Sequence, residues 1–102
     1  MADLNWAPQA LEDLESIAEF ISRDSRHFAL LFTANVVAAV ERLQDFPESG
    51  RIVPETHDES LREILFGNYR IIYHVQDKKV DVLAVHHAAR LLDMRRIQEL
   101  EN

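Results

Sequence analysis

Two β-rich runs separated by only two residues decide much of what this chain can become. Leu61–Phe66 and Tyr69–Val75 flank Gly67-Asn68, a dipeptide suited to a tight hairpin turn. Gln76-Asp77-Lys78-Lys79 is a second polar turn, and Val80–His86 is the next β-rich run. Connections this short leave no room for a crossover, so the three strands must be antiparallel neighbours. Upstream, Gly50 lies in a turn, and Arg51–Glu55 is a short extended piece that Pro54 confines to an edge or an end. Leu4-Asn5-Trp6 is a candidate first strand.

The first half reads as helices. Pro8 suits a first helical turn, where its missing N–H costs nothing. Leu11, Leu14, Ala18 and Ile21 recur at three- and four-residue steps, with Ile17 and Phe20 beside them, while Glu12, Asp13, Glu15 and Glu19 fill the other face. That pattern predicts an amphipathic helix from about Pro8 to Ser22. After the polar break at residues 22–27, Phe28, Leu31, Phe32, Val36, Ala39, Val40, Leu43 and Phe46 mark a second helix, stopped near Pro47. Two helices so joined form an antiparallel hairpin. A short C-terminal helix is expected from Leu91 to Leu100. With no linker, repeat or low-complexity stretch, residues 1–102 form one α+β domain of order β-α-α-β-β-β-α, a helical hairpin lying on an antiparallel sheet. The hairpin can cover one face of that sheet, and the other is expected to be open.

Charge narrows the partners. The chain carries a formal net charge of −7, concentrated before Arg51, where nine acidic residues meet three basic ones. A globally electropositive nucleic-acid binder is excluded, because phosphate neutralisation supplies most non-specific affinity. No direct DNA binding by the chain alone is expected. A local basic surface on the second half remains open. No apolar run approaches the length of a bilayer span, and the N-terminus lacks the basic and apolar regions of a signal peptide. Zero cysteines suit a reducing cytoplasm.

Few residues carry chemistry. Without Cys or a Gly-x-Ser-x-Gly turn, nucleophilic catalysis has no candidate. Two glycines exclude a phosphate-cradling loop, and no cofactor is expected. His86 and His87 are adjacent on a strand, so they point to opposite faces and do not easily share an ion; no metal is expected. Arginines are the better constellation. Alternation puts Arg70, Ile72 and His74 on one face of their strand, with Tyr69, Ile71, Tyr73 and Val75 on the other. On an open face, Arg70 and Arg62 with a histidine of the last strand would recognise phosphate or carboxylate. Alternatively, the arginines pair with Glu55, Glu59 or Glu63 and solvate that face.

Ordered along residues 4 to 92 are Trp6-Ala7-Pro8 with Ala10, Asp13-Leu14, Ile17, Phe46-Pro47, Gly50-Arg51, Pro54-Glu55, Arg62-Glu63, Tyr69-Arg70-Ile71-Ile72-Tyr73 and Val85-His86-His87-Ala88-Ala89-Arg90. In this order the chain resembles the RelE/ParE superfamily of type II toxin–antitoxin toxins, and within it the ParE-like branch. The resemblance implies a small bacterial toxin neutralised by an antitoxin whose C-terminal segment wraps over it. ParE-like members are associated with poisoning DNA gyrase, and RelE-like members with cleaving messenger RNA on the ribosome. Fold cannot choose between these activities.

As a nuclease, the chain would use Glu55 as base, Arg70 as charge clamp and His87 as acid, with His86 competing for the last role. The tyrosine that follows the histidine in one nuclease subgroup is missing here, since Ala88 and Ala89 follow His87. The lysine-rich segment of other nuclease members is absent, and the net charge is negative. The ParE-like reading is therefore favoured. On it there is no catalytic residue, and the contact surface is Arg51, Arg62, Arg70, His86, His87 and Arg90, with Met94–Leu100. A third reading is a non-toxic relic that keeps only the antitoxin-binding fold. The antitoxin is expected along the helical hairpin and a sheet edge, with Ala34, Val37 and Ala38 as candidate contacts.

Overall fold

In a computed structural model the described residues are 1–89, Arg95 and Ile97. The elements run β1 (Asp3–Trp6), α1 (Pro8–Ser22), α2 (Arg26–Glu41), a 3-10 turn at Arg42–Gln44, β2 (Arg51–Ile52), β3 (Leu61–Phe66), β4 (Tyr69–Gln76) and β5 (Lys79–His87). One five-stranded sheet has the order β1-β5-β4-β3-β2. The expected C-terminal helix and Arg90 lie outside the described residues, apart from Arg95 and Ile97.

Local chemistry accounts for most boundaries. Pro8 sits in the first turn of α1. Ser25 caps α2, its hydroxyl accepting the Phe28 N–H at 3.2 Å, which satisfies one of the orphan donors of a helix start. Gly67 turns the β3–β4 hairpin at φ 55°, a left-handed conformation glycine adopts freely. Asp77 does the same between β4 and β5 at φ 57°, one of the few side chains that tolerate it.

The sheet is mixed rather than purely antiparallel. β2 through β5 pair antiparallel, but β1 lies parallel to β5, Leu4 opposite Val80 and Trp6 opposite Val82. The α1–α2 hairpin and the remaining strands intervene in sequence between β1 and β5, so no short turn constrains the direction of their pairing.

Alternation along β4 holds. Ile71 packs with Ala10, Leu14, Val36 and Val40 beneath the helices, and Tyr73 packs with Leu43 and Val80. Ile72 points the other way, into a second cluster with Val53, Leu61, Leu83, Ala84 and Ile97. Between β4 and β5 the register slips at Ile72/Tyr73, with Ile72 opposite Ala84 and Tyr73 opposite Val82. Leu83 is thus the extra residue of a bulge, and both Leu83 and Ala84 enter the second cluster.

The expectation of an open second face is therefore corrected. Val53, from the segment after β2, and Ile97 cover its centre, because Leu61, Ile72 and Leu83 would otherwise leave apolar area in water. The helix faces also differ from the simple amphipathic pattern. Leu11, Phe20, Phe28, Leu31 and Phe46 are exposed. Both helices carry more apolar residues than a single sheet-facing stripe can bury.

Candidate functional site

The arginines of the second half converge on one buried carboxylate. Arg51 on β2 stands opposite Glu63 on β3, and Arg70 on β4 stands opposite Leu65, two residues further along that strand. Glu63 thus lies between the two arginines on the same face, one directly opposite and one diagonal, both within reach of long side chains. Its Oε1 accepts from Arg70 Nε at 2.7 Å and its Oε2 from Arg51 Nε at 2.7 Å. The Glu63 side chain is fully buried, and two guanidinium groups hold its charge there.

Glu55 closes the other edge of Arg70. Pro54 sits at the second position of a turn closed by Thr56 N–H donating to the Val53 carbonyl at 3.0 Å, a position its fixed φ favours. The turn presents Glu55 end-on to the guanidinium, Nη1 donating to Oε2 at 2.7 Å and Nη2 to Oε1 at 2.6 Å. Such a bidentate fork is the strongest geometry available to the pair. The Arg70 side chain is left 8% exposed, against 56% for Arg51. The hydrogen bonds from Arg70 hold the Glu55 carboxyl below the usual carboxylate range, and the same pairing raises Arg70.

Arg62 does something different. Residues of β3 alternate faces, so Arg62 turns toward the Tyr73 side of the sheet. Its guanidinium donates to the carbonyls of Glu59 (3.0 Å), Gly50 (2.9 Å) and Glu48 (3.3 Å), stapling the chain on both sides of β2. Beside it, Tyr73 Oη accepts the Gly50 N–H at 3.0 Å, and burial pushes this phenol up. A side chain at Gly50 would bring Cβ within 2.5 Å of the Glu63 carbonyl, so the close approach of β2 to β3 requires glycine there.

The two histidines separate as strand geometry demands. His86 is opposite Arg70 and His87 opposite Tyr69. His86 therefore shares the face of the Glu55–Arg70–Glu63–Arg51 chain, and its charge contributes to lowering Glu55. His87 lies on the helix side, 5.2 Å from the Tyr69 ring in an edge-on contact. Its Nδ1 accepts the Ala89 N–H at 3.1 Å. It lines a cleft of about 650 Å³ with Ile17, Phe20, Tyr69 and Val85. Glu55 and Arg70 are brought together; His87 is not brought to them.

Asp13 belongs by sequence to the polar face of α1, yet it reaches the sheet. Its Oδ2 accepts the Val85 N–H at 3.0 Å, capping β5 beyond the point where β1 ends. Only the packed position of α1 over β5 reveals that role. Among the described residues, no group of three acidic, histidine or cysteine side chains is placed to hold a metal ion, and no helix is long and apolar enough to cross a membrane.

A helical hairpin over one face of a mixed five-stranded sheet, with a buried arginine–carboxylate chain on the other, makes up this α+β domain. Residues 4–92 match the family described as the ParE toxin of type II toxin–antitoxin system, parDE. The chain is 35% identical over 92 residues, covering 89% of itself and 100% of the relative, to Toxin RelE2 of Caulobacter vibrioides. It is 31% identical to Putative toxin Y4kP of Sinorhizobium fredii, covering 83% of itself and 86% of that protein. A solved chain titled Chromosomal ParDE TA system from P. aeruginosa superposes with a TM-score of 0.71 at 21% identity, over 85% of this chain and 96% of that one. That likeness concerns the fold. This chain belongs to the ParE toxin family of type II toxin–antitoxin systems, and membership implies an antitoxin partner.

Proposed function

We propose that this toxin acts by binding and poisoning DNA gyrase, with no catalytic residue of its own. The observation that carries the reading is the separation of His87 from Glu55 and Arg70. A ribonuclease built on those three residues needs them around one phosphate, whereas here they lie on two faces of the sheet. The charge of −7 also opposes docking on a ribosome, whose surface is dominated by phosphate. A poison needs only to stabilise one state of its target.

The contact surface lies on the Arg70 face. Arg51 and His86 are its reachable members, Glu63 and Glu55 orient Arg70 beneath them, and Arg62 supports the β2 segment from the other side. The antitoxin lies along the helical hairpin, over Ala34, Val37 and Ala38 and the apolar side chains exposed beside them.

Purified toxin added to gyrase is expected to abolish supercoiling and to accumulate detergent-released linear DNA with dose. Folded toxin that leaves both readouts unchanged would overturn the reading. One observation favours a second reading, ribosome-dependent cleavage of messenger RNA: His86, not His87, shares a face with Arg70 and Glu55. Cleavage of ribosome-bound message that is lost in His86→Ala and kept in His87→Ala would establish it.

A further inference from the structure

Arg70 carries two carboxylates, and they are not equivalent. Glu63 holds one side of the guanidinium, its Oε1 accepting from Nε at 2.7 Å and lying 2.6 Å from Nη2. It stands in the middle of β3, opposite Arg51 of β2 on one side and Ile72 of β4 on the other, and its side chain is closed to solvent. Glu55 holds the end of the guanidinium, Nη1 and Nη2, from outside the sheet. Its side chain is 32% exposed, on the connection between β2 and β3 where Pro54, His57, Asp58 and Glu59 are exposed as well. Hydrogen bonds along this connection close local turns: Thr56 N–H to the Val53 carbonyl, Asp58 N–H to the Thr56 hydroxyl, and Ser60 N–H to the Asp58 carboxylate. Glu63 is therefore the fixed partner of Arg70 and Glu55 the displaceable one.

We infer that the outer end of Arg70 is a binding site for a phosphomonoester, and that Glu55 keeps it closed. Glu63 fixes the guanidinium plane whether or not Glu55 is in place, so the site is preorganised. The Arg70 side chain is 8% exposed, and a charge so far from water is not left unpaired without a large cost. Whatever takes the place of Glu55 must therefore bring negative charge and two acceptor oxygens. A phosphate group offers both in the same forked geometry.

Charge selects the monoester. A carboxylate from another molecule brings no more than Glu55 does, and Glu55, tethered to the same chain, is always at high effective concentration. A phosphate dianion brings a second charge. Arg51, whose side chain is largely exposed, and His86, opposite Arg70, stand on the same face to meet it. The closed state is an internal carboxylate in the place of a phosphate, and it lowers the ligand's apparent affinity by the fraction of molecules in which that place is free. Closure is a property of the free chain and does not depend on the gyrase reading.

Methyl phosphate titrated into the isotope-labelled full chain tests the inference, with arginine Nε–H and backbone amide signals followed by NMR at constant ionic strength. At a pH of about 7.5 the probe is a dianion, its second ionisation falling at about 6. Saturable shifts at Arg70 and Arg51 are expected, at least about tenfold tighter in Glu55→Ala than in the parent. Glu55→Gln keeps the length of the side chain without its charge and is expected between the two. It carries the comparison should Glu55→Ala lose the native amide spectrum. Dimethyl phosphate and formate, each with a single charge, are expected to bind Glu55→Ala more weakly than methyl phosphate. Adenosine 5′-monophosphate and O-phosphoserine should bind as methyl phosphate does, and the tighter of them names the source of the phosphate. No saturable shift in a folded variant, equal affinity in variant and parent, or formate binding as tightly as methyl phosphate would each overturn the inference.

Discussion

Arg70 shows how completely a buried guanidinium can be held by its partners. Its guanidinium is saturated by Glu55 and Glu63 and is almost closed to solvent. Arg70→Ala would strand the fully buried Glu63 with Arg51 alone, and breaking a buried ion pair by removing one partner costs about 3–5 kcal/mol. Urea denaturation should show a loss of that order, so a fall in toxicity from this variant would mix contact with folding. Arg51→Ala is the milder test. Arg51 is largely exposed but its Glu63 partner is fully buried, so removing it leaves one carboxylate oxygen without its donor at a cost of about 1–3 kcal/mol, and toxicity lost well beyond what that cost explains would mark a contact. Gly50→Ala is expected to cost about 1–3 kcal/mol, since Cβ would meet both the Glu63 carbonyl and the Tyr73 hydroxyl; thermal melts check this. For pH, the folded-state Glu55 carboxyl is depressed. Its contribution is present above the unfolded value, about 4.3, and is lost as pH falls through the depressed folded value. Acid titration of the urea midpoint should be shallower in Glu55→Gln than in the parent, and parallel curves would contradict the assignment.

At the scale of elements, the strands were more legible than the helix faces. The Gly67-Asn68 and Asp77-Lys78 turns announce the β3–β4–β5 meander because turn chemistry is local. Alternation then puts Arg70 and Ile72 opposite Ile71 and Tyr73 without reference to the rest of the fold. The helices offered apolar residues on too many sides, so periodicity could not tell the buried stripe of α2 from the exposed one. Which stripe faces the sheet is settled by Val36, Val40 and Leu43 meeting Ile71 and Tyr73 and their neighbours. The start of α2 rests on a local device. Ser25→Ala removes the hydroxyl that accepts the Phe28 N–H, and a cost of about 1 kcal/mol in chemical denaturation is expected.

For the whole molecule, charge and family membership act together. Membership of the ParE toxin family implies an antitoxin, and the hairpin presents both acidic and apolar side chains to solvent. The net charge of −7 also means that the free chain should not bind duplex DNA. Fluorescence anisotropy of a labelled duplex should stay flat as protein is added, at low and moderate salt. Binding that weakens steeply with salt, in the manner of counterion release, would show that a local basic surface outweighs the overall charge.

Element types, the meander and the opposed directions of His86 and His87 follow from nearest-neighbour chemistry, and were readable in the chain itself. So was the ordered set of residues that marks the family, since it runs along the sequence. Three things needed the tertiary structure: the parallel placement of β1, the cover over the second sheet face, and the closure of Glu55 and Glu63 around Arg70. Each joins segments far apart in the chain, and which carboxylate an arginine meets depends on strand order and on the turn at Pro54. The sequence could propose Glu55, Glu59 or Glu63 as partners of the arginines. Only packing selects Glu55 and Glu63 for Arg70, and leaves Glu59 to offer Arg62 its carbonyl.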